Sequence, residues 1–251
     1  MTPDEIALAA TLLSEARRSG TPLGELPEAC RPASVSDAHA IQDAVTDALG
    51  YEVGAFKANA PPDAEANRGV IYGRDIHPSP ARIQASTVPL LGVEGEVAFR
   101  FTRDLPARQE PYSEQEVAAA VEACAAIEVV HSRYVDHTAR SSLEKLADGI
   151  SNGAFVPGET VTEWRGLDLR RVHVELEVNG QTVLSQDGGH PTGDPLGVAT
   201  ALVNMMRTGP GIRRGQYVTC GSFTGVRFLR PGNTCAVRFS GIGEARVAFP
   251  D

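Results

Sequence analysis

Glu94 and Glu96 stand two residues apart in Gly92-Val93-Glu94-Gly95-Glu96-Val97-Ala98-Phe99-Arg100-Phe101, and Glu128 is a lone carboxylate inside Ala125-Ala126-Ile127-Glu128-Val129-Val130. Residues two apart in a strand share a face, so the first segment presents two carboxylates side by side, with Val93, Val97, Phe99 and Phe101 on the other face. An unpaired buried carboxylate costs several kcal/mol, so Glu128 requires a proton, a salt bridge or a cation. Three carboxylates, with no His or Cys at a matching ligand spacing, form the donor set of a hard divalent ion. An octahedral Mg²⁺ or Mn²⁺ held this way keeps about three positions for water or substrate, and an α-keto carboxylate could fill two of them. The alternative open from spacing alone is a salt bridge of Glu128 with Arg133 or Arg100.

Other residues could serve such a centre. Lys57 ends the strand-like piece Val53-Gly54-Ala55-Phe56-Lys57. It is either a solvated edge charge or, facing the carboxylates, a group that binds an anion or moves a proton. Asp148 lies in the turn-forming run Leu146-Ala147-Asp148-Gly149-Ile150-Ser151-Asn152-Gly153, whose glycines could bring backbone amides close to a ligand. Cys220-Gly221-Ser222-Phe223-Thr224-Gly225 is a similar glycine-spaced turn with hydroxyls, and neither turn is a phosphate loop. His131, His137 and His190 lack a Gly-x-Ser-x-Gly elbow to work with and are expected to be structural or surface residues. Glu175 and Glu177 alternate without a break in Val172–Val178 and read as a solvated strand face.

These residues need a scaffold. Thr2-Pro3-Asp4-Glu5 is a capping box that predicts a helix to about Gly20, and a second helix is expected over Ser36–Leu49, stopped by Gly50. Strands are expected at Glu52–Lys57 and Val93–Phe101, separated by a proline-rich, irregular stretch from Pro61 to Pro89 with the length of a lid. Ser113-Glu114-Gln115-Glu116 caps a helix predicted to run to about Ala126. Asn179-Gly180 joins the strands Val172–Val178 and Gln181–Ser185 in a type I′ hairpin, and Asp194-Pro195 opens a helix that ends near Gly209. Strand-like pieces separated by glycines fill Gly215–Phe249, so the pattern predicts a β-rich α+β domain over residues 1–251, with a helical part in 1–50 and a β-rich core in 51–251.

The 251 residues carry 32 acidic and 23 basic side chains, a net charge of −9, which argues against a nucleic-acid surface. With 42 % hydrophobic residues the chain is neither disordered nor fibrous. No run of about 18 apolar residues suggests a membrane span, and Cys30, Cys124, Cys220 and Cys235 lack disulfide or zinc spacing. A soluble cytoplasmic protein with a small-molecule partner is expected.

Phe56-Lys57, Val93-Glu94-Gly95-Glu96-Val97-Ala98-Phe99 with Arg103-Asp104-Leu105, Ala126-Ile127-Glu128-Val129-Val130, Asp148-Gly149-Ile150-Ser151-Asn152-Gly153 and Gly221-Ser222-Phe223-Thr224-Gly225 resemble, in that order, the fumarylacetoacetate hydrolase superfamily. Within it they are similar to the 2-oxopent-4-enoate hydratase and 4-oxalocrotonate decarboxylase branch. The resemblance implies a mixed β-sheet roll with flanking helices, assembled as a homo-oligomer. It also implies that Glu94, Glu96 and Glu128 hold Mg²⁺ or Mn²⁺, which binds a short 2-oxo acid and stabilises its enolate charge. Lys57 and Asp148 would then be acid/base or anchoring groups, and Ser151, Gly153, Ser222 and Thr224 would line the substrate. Two positions depart from the family pattern: Ala58-Asn59 follows Lys57 in place of a hydrophobic residue and Gly, and Gly149 replaces the usual Asn after Asp148. The expected activity is a hydratase of a 2-hydroxypenta-2,4-dienoate-type acid. The alternatives are a decarboxylase of a 2-oxo-dioic acid and a non-catalytic partner subunit with the same fold.

Overall fold

The computed structural model describes residues 1–251. Helices α1 (Pro3–Ser19) and α2 (Val35–Leu49) begin where side chains can satisfy orphan amides: Thr2 Oγ1 accepts from Glu5 N, Glu5 accepts from Thr2 N, and Ser34 Oγ accepts from Asp37 N. Both stop at a glycine in left-handed conformation, Gly20 at φ 69° and Gly50 at φ 66°. Ala9, Ala10 and Leu13 of α1 and Ala38, Ile41 and Val45 of α2 join the same continuous apolar core as the sheets.

The antiparallel pair β1 (Val53–Asn59) and β2 (Asn67–Tyr72) follows. After the short β3 (Ala81–Arg82), β4 (Gly92–Phe101) pairs along its whole length with β5 (Val121–Val130). Helix α3 (Glu114–Ala118) precedes β5, and α4 (Ser142–Ala147) precedes β6 (Asn152–Pro157). The hairpin of β7 (His173–Val178) and β8 (Gln181–Asp187) turns on Asn179 at φ 53° and Gly180 at φ 75°, both left-handed as a type I′ turn demands. Helix α5 (Pro195–Met206), β9 (Tyr217–Ser222), β10 (Arg227–Phe228), β11 (Thr234–Phe239) and β12 (Gly243–Ala248) complete the set.

One sheet has the order β2-β1-β9-β4-β5-β6, with β10 on β4, and the other runs β3-β12-β11-β7-β8. Val93, Val97, Phe99 and Phe101 of β4 and Ala123, Ala125, Ile127 and Val129 of β5 are buried in the main core, on the side that meets β11 and β12. The opposite face of the first sheet is concave. Ile76 bridges Phe155, and the amides of His77 and Ser79 donate to the carbonyls of Phe155 and Pro157, so the chain after β2 reaches β6 and curls the sheet into a half-barrel. Inside it Ala55, Ile71, Ala98, Cys124, Ala126 and Phe155 form a small apolar floor.

Two expectations are corrected. The stretch Pro61–Pro89 is not an irregular lid: it contains β2, β3 and two turns of 3₁₀ helix, and Arg68–Tyr72 are buried. Prolines and Asp63 at its ends mask a strand specified by pairing with β1. The helix capped by Ser113 ends at Ala118 rather than near Ala126, because the alanine-rich run that favours a helix locally is held as β5 between β4 and β6. Small residues there leave the hollow open on the concave side.

Candidate metal centre

Strand pairing places the three glutamates together. Glu94 lies directly opposite Glu128 across β4 and β5, and Glu96 is two residues further along the same face. One carboxylate oxygen from each can be chosen so that all lie within 4.8 Å of one another. Gly95 separates the pair because its other side is closed: a β carbon there would come within 2.6 Å of Val237 Cγ2 and 2.9 Å of Thr224 Cγ2.

Each buried carboxylate has one oxygen tied to the protein. Glu96, 1 % exposed, accepts at Oε2 from the Thr219 hydroxyl and, at 2.8 Å, from Gly221 N. A bulge delivers that amide: between Glu96↔Ser222 and Ala98↔Thr219, β9 advances one residue more than β4, and Gly221 turns at φ 119°. Glu128, fully buried, accepts at Oε1 from the Asn152 amide at 3.2 Å. Its Oε2 has no hydrogen bond of good geometry and sits 2.8 Å from the Lys57 ammonium, which is 3.5 Å from Glu94. Lys57 is therefore an inward group, and Glu128 pairs with it rather than with Arg133 or Arg100.

The electrostatics follow from burial. Burial, with the neighbouring Glu94 carboxylate, pushes the Glu96 carboxyl up. Burial pushes Glu128 up to about 8 against the opposing pull of Lys57. Burial alone would lower the Lys57 ammonium, but Glu128, Glu94 and Glu96 outweigh it and hold it above its ordinary value. Were all three carboxylates ionised, one ammonium would leave two negative charges in a desolvated hollow, the cost that raises Glu96 and Glu128 and that a bound cation would remove. The all-oxygen donors, the spare oxygen of Glu128 and this charge fit a hard divalent cation held by Glu94, Glu96 and Glu128.

The structure distributes the remaining sequence-derived site residues differently. Asp148 does not face the carboxylates with free oxygens: Oδ1 pairs with Arg133 Nε, and Oδ2 accepts from Arg133 N at 3.0 Å and Ser132 Oγ at 3.3 Å. Arg133 in turn donates to the Asn152 carbonyl at 2.6 Å, so Asp148 is linked through Arg133 to the residue whose amide holds Glu128. Thr224 is corrected as a substrate contact, because its hydroxyl accepts from Gly95 N at 2.9 Å and donates to the Gly225 carbonyl, on the side of β4 away from the glutamates. Gly153 packs closely, since a β carbon there would meet His131 Cβ at 2.6 Å. Ser222 sits opposite Glu96 in the β9 register. Ser151 is buried at φ 55°, and beside it Ile150, also at φ 55°, turns its carbonyl to the Lys57 ammonium at 3.4 Å. Two successive non-glycine residues in the left-handed region are strained, and here they cradle a site lysine.

Asn152, Thr219 and Gly221 were not singled out as individual residues from the sequence. Asn152 and Gly221 lie in the two glycine-spaced turns, the one local signal available, whereas Thr219 has none. His190 is buried and satisfied, donating from Nε2 to the Cys220 carbonyl at 2.7 Å and packing with its ring tilted against Phe223.

The chain that builds this half-barrel, with a Glu-x-Glu pair, a third glutamate from the adjacent strand and an inward lysine on its concave face, matches a known family. Residues 54–249 match the family described as fumarylacetoacetate (FAA) hydrolase C-terminal, and the chain belongs to it. A 2-keto-4-pentenoate hydratase of Paraburkholderia xenovorans (strain LB400) is 29 % identical over 262 residues, covering 99 % of this chain and 96 % of its own. A 4-oxalocrotonate decarboxylase of Pseudomonas putida is 29 % identical over 124 residues, 49 % of this chain and 47 % of its own. Among solved structures, the 4-oxalocrotonate decarboxylase from Pseudomonas putida G7 complexed with magnesium and adipate shares the fold, with a TM-score of 0.85 and 21 % identity over 99 % of this chain and 98 % of that one.

Proposed function

We propose that the chain is a divalent-metal-dependent hydro-lyase that adds water to a short 2-hydroxydienoate or 2-oxoalkenoate acid of the 2-oxopent-4-enoate type. The observation that carries this reading is the meeting of Glu94, Glu96 and Glu128 with the Lys57 ammonium in one desolvated hollow. Similarity along the whole chain to a protein named 2-keto-4-pentenoate hydratase supports the substrate class.

Glu94, Glu96 and Glu128 would hold Mg²⁺ or Mn²⁺. Bound there, the cation supplies Lewis-acid stabilisation of negative charge on the 2-oxygen of the acid. Lys57 presents a proton at Nζ and a fixed positive charge to an anionic substrate. Glu94, the most open of the three glutamates, marks the side from which substrate arrives. The Ile150 carbonyl and the Glu128 carboxylate aim the ammonium, while Asn152, Thr219 and the Gly221 amide hold the two buried glutamates. The apolar floor of Ala98, Ala126 and Phe155 keeps water from the far side of the hollow.

The test is incubation of the Mg²⁺- or Mn²⁺-loaded protein with a 2-hydroxypenta-2,4-dienoate, with products followed by NMR. A 4-hydroxy-2-oxo acid is the expected product; no turnover with either metal overturns the reading. Decarboxylation of a 2-oxo-dioic acid is the second reading, favoured by the half-length match to a decarboxylase, and CO₂ release from such an acid distinguishes it. Titration of chelator-stripped protein with each metal, with and without pyruvate or oxalate, separates both from a non-catalytic subunit, which would show no metal binding strengthened by the acid.

A further inference from the structure

Away from the carboxylates, a concavity of about 230 Å³ opens where the end of α1 meets the start of β6. Arg17, Arg18, Arg74 and Arg133 line it together with His131 and a single carboxylate, Asp75. On a chain of net charge −9 this local excess of positive charge is not a reflection of composition.

The charges do not cancel. Arg133 is matched by Asp148 behind it, and Arg17 lies 3.3 Å from Asp75 and 3.3 Å from the Asn152 carbonyl. Arg74 reaches the same Asp75 only at 4.0 Å, and Arg18 donates to the Ala48 carbonyl with no carboxylate in contact. Four guanidinium groups against Asp75 and Asp148 leave two positive charges uncompensated. The potential is felt within the pocket: burial and the nearby Arg133 lower Arg17 to about 10, and burial, Arg133 and Arg17 lower His131 to about 4. The neutral imidazole of His131 keeps a buried Nδ1 without a hydrogen-bond partner.

We propose that this pocket binds a small dianionic oxyanion of the phosphate class, as the free ion or as the phosphate group of an ester. The two surplus charges match a dianion, and arginines that line the pocket from α1, from the turn after β2 and from the segment after β5 suit an anion with acceptors on several sides. The volume holds roughly seven waters, enough for the anion and part of an organic substituent. No residue of the metal centre lines this pocket.

The experiment is calorimetric titration of the full chain with inorganic phosphate at low ionic strength, after chelator treatment and dialysis so that no metal can take the ligand. One saturable site per chain is expected. Arg74→Gln should weaken it about tenfold, and Arg17→Lys, which keeps charge but loses the fork, by a similar factor. Arg230→Gln, an exposed arginine elsewhere, should leave it unchanged. Tighter binding of a phosphate monoester assigns the ester as the preferred form, and weaker binding assigns the free ion; both uphold the site. Absence of saturation, or equal binding by wild type, Arg74→Gln and Arg17→Lys, overturns it. Should Arg17→Lys fail to fold, Arg74→Gln decides alone, since the Arg74 side chain is 62 % exposed.

Discussion

Lys57 on β1 and Glu128 on β5 meet at 2.8 Å although β9 and β4 lie between their strands in the sheet. Strands in a flat sheet stand about 4.8 Å apart, so three steps would hold these two backbones roughly 14 Å from each other. The contact exists because the sheet curls, and the curl is fixed by the pairing of residues 76–79 with β6. Site and fold are thus one construction, and its parts can be tested separately.

Removing a glutamate should remove the metal. Glu96→Gln leaves the Thr219 and Gly221 donors in place but takes away a ligand charge, so Mg²⁺ and Mn²⁺ binding and turnover should both be lost. Asn152→Ala frees Glu128 Oε1 and should lower metal affinity by about 10- to 100-fold, the usual scale for a group that orients a ligand. Calorimetric titration with each ion checks both; unchanged affinity in Glu96→Gln would remove the metal assignment.

Lys57→Met should separate binding from chemistry. Losing the ammonium relieves nothing that a bound cation needs, so metal affinity should be kept or rise, while kcat should fall by about 10²- to 10⁴-fold. A variant that retains turnover would return Lys57 to a merely structural role.

Asp148→Asn distinguishes positioning from proton transfer. The ion pair with Arg133 is buried on both sides, at 4 % and 3 % side-chain exposure. Removing one charge from such a pair destabilises by about 3–5 kcal/mol. Chemical denaturation should show this loss; full stability with lost turnover would instead make Asp148 an acid or base.

Gly69→Ala tests the support of the strained turn. A β carbon there would approach the Gly149 carbonyl oxygen to 2.6 Å, a backbone atom that cannot step aside without moving Ile150 and so the acceptor of Lys57. A loss of about 1–3 kcal/mol of stability is expected, the range for overpacking, together with a raised KM. Thermal unfolding and steady-state kinetics measure the two effects.

Two histidines should each withdraw a share of stability in mild acid. Burial lowers His39 and His131 each to about 4 from an ordinary 6.5, so between those values the unfolded chain binds more protons than the folded one. The share of stability these two histidines contribute is therefore full above about pH 6.5 and is lost as pH drops toward 4, opposite in sign to Glu128, whose raised value makes its own share fade as pH rises toward 8. His39 Nε2 accepts from Arg68 N at 3.1 Å, an acceptor that protonation destroys. Urea unfolding at several pH values should show His39→Gln gaining stability relative to wild type as pH falls from 6.5 toward 4.

Much of this was local and therefore readable. Thr2, Ser34 and Asp194 cap helices with their own side chains, and Asn179-Gly180 closes a hairpin within four residues, so neighbours in sequence suffice. Alternation set Glu94 and Glu96 on one face, and the apolar run around Glu128 marked a carboxylate in need of a partner. The strand β2 and the end of α3 were hidden because proline signals and alanine propensity are local, while the pairings that override them join residues far apart in sequence.

The sequence by itself thus determined the element caps, the hairpin and the carboxylate donors, since each rests on spacings of a few residues. Only the tertiary structure decided which cation meets Glu128, that Asp148 is committed to Arg133, that Thr224 faces away, and that a bulge brings the Gly221 amide to Glu96. Those are choices among partners of similar chemistry, and they are made by the curl and register of a sheet whose strands are brought together from across the chain.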